Sequence, residues 1–162
     1  MSKLLEISNE ELELVIQNTS DKLNMSKAIV EKDLWVCVIL QYLFSSFKYR
    51  NAIVFKGGTS LSKVYKLIER FSEDIDIALD WKVLGYEKTE PYKDRSNTKQ
   101  QEFNDKLNDD TKVFLHDEFL PILQNDFQEI LKNKAYRFYI DENDRQYVLI
   151  ILKIIRIVRF FK

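Results

Sequence analysis

Residues 55–80, FKGGTSLSKVYKLIERFSEDIDIALD, decide how this chain folds. The run from Ala52 to Lys56 is short and apolar, as a buried strand is, and it stops at Gly57 and Gly58, two of the chain's three glycines. Helical periodicity follows from about Thr59 to Glu69, with Leu61, Tyr65 and Ile68 on one side and the basic Lys63, Lys66 and Arg70 on the other. Glu73–Asp80 then alternates strictly and reads as a second strand. The predicted unit is strand, glycine turn, helix and returning strand.

That unit has chemical consequences. Glycine lets the backbone turn sharply and lets a phosphate approach without meeting a Cβ. The N–H groups that open a helix have no partner within it, and the hydroxyls of Thr59 and Ser60 add donors, so the turn has the makings of a triphosphate cradle. Taken alone, a Gly-Gly turn before a capped helix is usually only a turn. The aspartates shift the balance. Residues i and i+2 of a strand share a face about 6.5–7 Å apart, which sets Asp74 beside Asp76 and leaves Ile75, Ile77 and Leu79 to the core-facing side. Like charges so placed repel, and Asp is depleted from strands; a hard cation such as Mg²⁺ removes the repulsion by accepting an oxygen from each. The competing explanation is an edge strand with one solvated face. Carboxylates beside a phosphate cradle are what phosphoryl and nucleotidyl transfer ask of a protein, together with an activated hydroxyl. Lys63, the basic residue nearest the turn, is the one expected to reach phosphate. A solvated helix face is the default for the rest of the stripe.

Working outward, two helices are predicted ahead of the unit. Ser8 caps the first, with Glu11 completing a capping box and Leu12, Val15 and Ile16 forming its apolar stripe. Ser26 caps a longer one running to about Phe47, with Ile29, Val30, Leu34, Val38, Leu40, Tyr42 and Leu43 largely inward. Beyond the unit, Trp81–Asn97 turns polar and reads as a surface loop. Lys99–Lys132 returns to helical spacing, with a break or kink expected at Asn108–Thr111 or at Pro121. Residues 134–152 read as a hairpin turning at Asp141–Arg145. The expected organisation is one domain over residues 1–162: helices at 8–47, the Gly-Gly and DxD core at 51–80, a long helical region at 97–132 and a terminal hairpin at 135–162.

Composition narrows the function. At 162 residues and 45% hydrophobic, with eleven Phe and eight Tyr, the chain can bury a real core. A net charge of −1 gives no global attraction to nucleic acid or to an anionic membrane. Cys37 is the one cysteine and is expected to be a small buried hydrophobe. His116 is the one histidine, far along the chain from the glycines, which argues against Ser-His-Asp or Cys-His catalysis and against His-rich metal sites. The apolar run at Leu34–Phe44 is too short to span a bilayer. A lone thiol and an acidic N-terminus without a signal peptide point to the cytoplasm.

KGGTSLSKVYKLIERFSEDIDIAL (residues 56–79) closely resembles the nucleotidyltransferase motif of the AbiEii/AbiGii toxin family, the toxin half of type IV toxin–antitoxin and abortive-infection systems. VEKDLWV (residues 30–36) resembles the segment that precedes that motif, and the similarity extends over most of Met1–Leu152. The resemblance implies an α+β, polymerase-β-like nucleotidyltransferase fold, a small mixed sheet with packed helices and an N-terminal helical pair. It implies an NTP donor, Mg²⁺ as cofactor, an RNA acceptor (tRNA among the candidates) or a protein hydroxyl, and a cognate antitoxin. On the matching positions, Asp74 and Asp76 would be catalytic and bind metal. Lys56, Gly57, Gly58, Thr59, Ser60, Lys63, Arg70 and Ser72 would line the nucleotide site. Glu31, Lys32 and Asp33 match the pattern without an assigned role.

One departure matters. The family pattern continues with a strand carrying a third carboxylate and then a helical C-terminal domain. Here no Asp or Glu follows Asp144, and the expected reading is a chain that lacks both. Lys153, Arg156, Arg159 and Lys162 punctuate the final apolar run. That run is a core strand or helix, a subunit interface that would make a homo-oligomer, or a basic segment that touches RNA or a membrane surface. Two functions therefore stand beside a Mg²⁺-dependent toxin-type nucleotidyltransferase. One is a catalytically impaired NTP-binding or partner-binding module without the third carboxylate. The other, ranked well below, is a DxD glycosyltransferase, in which the Gly-Gly turn has no role.

Overall fold

A computed structural model describes residues 6–65, 67, 74–131 and 136–141, and the backbone of 147–151 and 155–161. Ser8 and Glu11 open the first helix as predicted. The Glu11 N–H donates to the Ser8 hydroxyl at 3.1 Å and the Ser8 N–H donates to the Glu11 carboxylate at 2.9 Å, closing a capping box at the head of α1 (Asn9–Leu23). Leu12, Ile16 and Ser20, four apart, are buried, whereas Val15 is 39% exposed, lying about 100° round the helix from Ile16. The Ser26 hydroxyl accepts from the Ile29 N–H and caps α2 (Lys27–Ser45), which stops two residues before the expected Phe47. Trp35, Val36, Val38, Ile39, Tyr42 and Leu43 form its buried face.

The sheet has five strands: β1 (Ile53–Lys56), β2 (Ile75–Leu79), β3 (Arg137–Ile140), β4 (Tyr147–Ile151) and β5 (Ile155–Phe161), in the order β1-β2-β5-β4-β3. The β2–β5 pair is parallel and the other three are antiparallel, which makes the fold α+β with a mixed sheet. Ile75 and Ile77 are fully buried and Leu79 packs on the core, the facing predicted from the alternation of β2. The β3–β4 hairpin is also as expected, although most of its turn lies outside the described residues. The final segment departs from a terminal hairpin. It enters the sheet as β5, between β2 and β4, so both of its edges are paired. A near-continuous apolar run suits a central strand better than an edge.

A short helix, α3 (Gly57–Lys63), follows β1, and between β2 and β3 the chain forms a long helical layer. α4 (Asn97–Phe114) passes straight through Asn108–Thr111, and the interruption is a π-helical turn at Leu115–Phe119 before α5 (Leu120–Ile130). Pro121 explains its position: with no N–H to donate it fits only the first turn of a new helix, and the Leu120 N–H reaches back five residues to Leu115. Aromatic contacts join this layer to α2 and the sheet, with ring centroids of Tyr42–Phe127 and Phe47–Phe119 at 4.9 Å and Phe127–Phe138 at 5.0 Å. The Tyr42 hydroxyl donates to Asp126 at 2.6 Å, and burial together with that carboxylate holds the phenol well above its ordinary pKa. The segment from Trp81 to Ser96 is a loop, but a pinned one. Arg95 pairs with Glu90 and lies 4.2 Å from the Phe103 ring centroid, and Tyr86 hydrogen-bonds Asp110.

Candidate functional site

The site is built where β1 ends. In the antiparallel β1–β2 ladder Lys56 pairs with Asp76 and Phe55 with Ile77, so Lys56 and Asp76 sit across from one another on the face away from Ile75 and Ile77. Directly paired positions in such a ladder bring Cβ atoms within about 5.5 Å. The next residue, Gly57, has φ +72°, the left-handed region, and α3 (Gly57–Lys63) starts there. A Cβ on Gly57 would fall 1.7 Å from Asp76 Oδ2, 2.5 Å from its Cγ and 2.8 Å from its Cβ. Two independent demands therefore fall on one position: a backbone only glycine adopts easily, and a carboxylate pressed against its Cα. The Gly-Gly turn and the DxD strand are in contact.

Thr59 and Ser60 are buried and work inside the protein. The Thr59 hydroxyl donates to the Asp74 carbonyl oxygen, tying the first turn of α3 to the residue that leads into β2. The Ser60 hydroxyl donates to the Gly57 carbonyl at 2.8 Å and stabilises the turn itself. With both hydroxyl protons committed, what the turn presents outward is chiefly backbone N–H. Gly57, Lys56 and Asp74 are exposed and Asp76 is half-buried, so a ligand has access.

Lys63 closes α3. Its ammonium is paired with Asp33 of α2, and its Nζ lies 3.6 Å from the Sγ of Cys37 one turn further along that helix. Cys37 is exposed rather than buried, because Val36 and Val38 on either side take the core-facing positions of α2. Lys66, Arg70 and Ser72 lie outside the described residues. Asp33, whose role the sequence left open, is thus an ionic partner of a candidate site residue.

A family model of the AbiEii nucleotidyl transferase toxin, of type IV toxin–antitoxin systems, matches residues 38–153 of the chain. The chain belongs to that family. Nucleotidyl transfer is the activity of the family, and the α+β architecture around a GGTS turn and a DID strand agrees with it. The VEKDLWV segment lies ahead of the matched region, so the resemblance noted there is not part of the match. No curated protein and no solved structure matches the chain.

Among the described residues no group of three or more His, Cys, Asp or Glu side chains is placed to hold a metal ion. The carboxylates beside the turn are Asp74, which is exposed, and Asp76, which is half-buried; two carboxylates are a number that a divalent ion could use, with phosphate oxygens and water completing its shell. The strand beside β2 offers no carboxylate. In the parallel β2–β5 register the residue alongside Asp76 is Arg159, and Ile155–Phe161 contains neither Asp nor Glu. Among the described residues no helix is long and apolar enough to cross a membrane.

Proposed function

We propose that this chain is a Mg²⁺-dependent nucleotidyltransferase that moves NMP from an NTP to a hydroxyl of RNA, with tRNA the first acceptor to test and a protein hydroxyl the next. The observation that carries this reading is the contact between Gly57 and Asp76, which sets the backbone of the turn against a strand carboxylate. The backbone N–H groups of the turn would receive the triphosphate oxygens, with Lys56 beside Asp76 and Lys63 at the far end of α3 supplying positive charge. Asp74 and Asp76 would hold the metal, which when bound draws charge from the phosphates and polarises the acceptor hydroxyl. The acceptor oxygen forms a bond to the α-phosphorus as the bond to the bridging oxygen breaks. Pyrophosphate leaves, and the hydroxyl proton passes to a carboxylate or to water. The same reading includes a cytoplasmic setting and a cognate antitoxin.

A second reading, NTP or partner binding without turnover, is favoured by β5, which pairs with β2 and contains neither Asp nor Glu. One experiment separates the two. Each α-labelled NTP is incubated with total tRNA and Mg²⁺, using wild type and the Asp74→Ala/Asp76→Ala variant. Label that requires both aspartates supports transfer. No label from a folded wild type that Mg²⁺ and NTP still stabilise thermally supports binding alone.

A further inference from the structure

α3 has seven residues, too few to hold a helix without tertiary support, and it is fastened at both ends. At its start Gly57 lies against Asp76 and Thr59 is bonded to Asp74. At its end Lys63 is paired with Asp33, thirty residues away in sequence, with side chains 23% and 41% exposed. Asp33 stands on a rigid base: Trp35, Val36, Val38 and Ile39, which follow it on α2, are buried in the core. Lys63 follows Gly57 by six positions in α3, which at about 1.5 Å per residue puts its backbone roughly 9 Å along the axis from the turn, within a lysine side chain's reach of a triphosphate there. An ammonium has three donors, so pairing with Asp33 leaves capacity for a phosphate oxygen. A free lysine loses rotamer entropy when it is fixed on a ligand. Where a carboxylate already holds it, much of that loss falls in folding and not in ligand binding.

We propose that Asp33 is a positioning residue, acting on the nucleotide's phosphates through Lys63. The proposal rests on the reading of the Gly57–Ser60 turn as a triphosphate site. It carries a sign that simple charge does not. If Asp33 merely repelled the triphosphate or competed with it for the ammonium, removing the carboxylate would tighten binding. If it positions Lys63, removal weakens binding, and only while Lys63 is present.

The test is calorimetric affinity for MgATP, MgGTP, MgCTP and MgUTP, measured on wild type, Asp33→Asn, Asp33→Glu, Lys63→Gln and the Asp33→Asn/Lys63→Gln double variant. Asp74→Ala/Asp76→Ala is the control for the site itself. The expected result is a loss of about 3- to 10-fold in Asp33→Asn, substantial recovery in Asp33→Glu, and no further loss when Asp33→Asn is added to Lys63→Gln. Unchanged or tighter binding by Asp33→Asn overturns the proposal, as does an equal loss in the Lys63→Gln background, either one with the turn reading intact. Failure of wild type to bind any of the four, or binding indifferent to both aspartates, overturns the turn reading and the proposal with it. A half-exposed ion pair adds little to stability, so Asp33→Asn should remain folded and its affinity can be measured.

Discussion

Gly57→Ala tests the centre of the site, and Gly85→Ala is its internal control. Both glycines lie in the left-handed region, at φ +72° and +85°, so an alanine at either meets the same kind of backbone penalty, about 1–2 kcal/mol. They differ in surroundings. A Cβ at Gly85 has nothing within 4 Å, whereas one at Gly57 overlaps Oδ2, Cγ and Cβ of Asp76 at 1.7, 2.5 and 2.8 Å. The overlap with Oδ2 and Cγ can be relieved by turning the Asp76 side chain, but the overlap with its Cβ cannot, so β1 and β2 must part slightly. Overpacking of that kind costs about 1–3 kcal/mol more. Gly57→Ala should therefore cost about 2–5 kcal/mol in urea denaturation against about 1–2 for Gly85→Ala. A carboxylate displaced by about 1 Å also costs about 100-fold in rate, so label transfer should collapse in Gly57→Ala and persist in Gly85→Ala. Asp76→Gly, which removes all three overlapping atoms, should cancel the excess cost of Gly57→Ala and leave only the backbone penalty. Equal destabilisation by the two alanines, or an excess that survives Asp76→Gly, would refute the contact on which the site is built.

Three further outcomes follow from particular contacts. Thr59→Val keeps the shape of a fully buried side chain but strands the Asp74 carbonyl, so it should lower stability by about 1–3 kcal/mol in chemical denaturation, with Thr59→Ser much milder. Burial, aided by Asp110, pushes the Tyr86 phenol from 10.0 up to about 12, so the folded protein holds that proton more tightly than the unfolded chain. Its contribution is whole below about pH 10 and is lost as pH rises through about 12; denaturation midpoints measured from pH 9 to 11 should fall more steeply in wild type than in Tyr86→Phe. Hydrogen bonds from Tyr49 and then Lys48 hold the Glu118 carboxyl below its ordinary 4.5, so its contribution is present above that value and is lost as pH falls through the folded one. Glu118→Gln should flatten that acid limb in a pH series of melting temperatures.

How far the sequence carried the fold depended on whether a residue's neighbours lay near it in the chain. The capping box at Ser8, the cap at Ser26 and the alternation of β2 are set by residues within a few positions of each other, and the structure forms each as expected. The Gly-Gly turn and the DxD strand were legible for the same reason, since a single short helix forces one back onto the other. Distant partners were not legible. Nothing local distinguishes Cys37 from its valine neighbours, and only the packing of α2 turns it outward toward Lys63. Asp33 looks like any solvated helix carboxylate until α3 brings a lysine to it. β5 was hardest, because an apolar run with spaced basic residues suits a core strand, a helix or an interface equally well. Its central place depends on β2 and β4, both left with an open edge that a third strand must fill. That place also gives the one strong reason to measure turnover before assuming it. A strand that pairs with β2 along its length fixes which residue stands beside Asp76, and here that residue is Arg159. β5 carries neither Asp nor Glu, so a metal at the turn would have Asp74 and Asp76 but no carboxylate from that strand. Mg²⁺ titration of the NTP-bound protein should then saturate at one ion, and a stoichiometry of two would show that carboxylates from elsewhere complete the site.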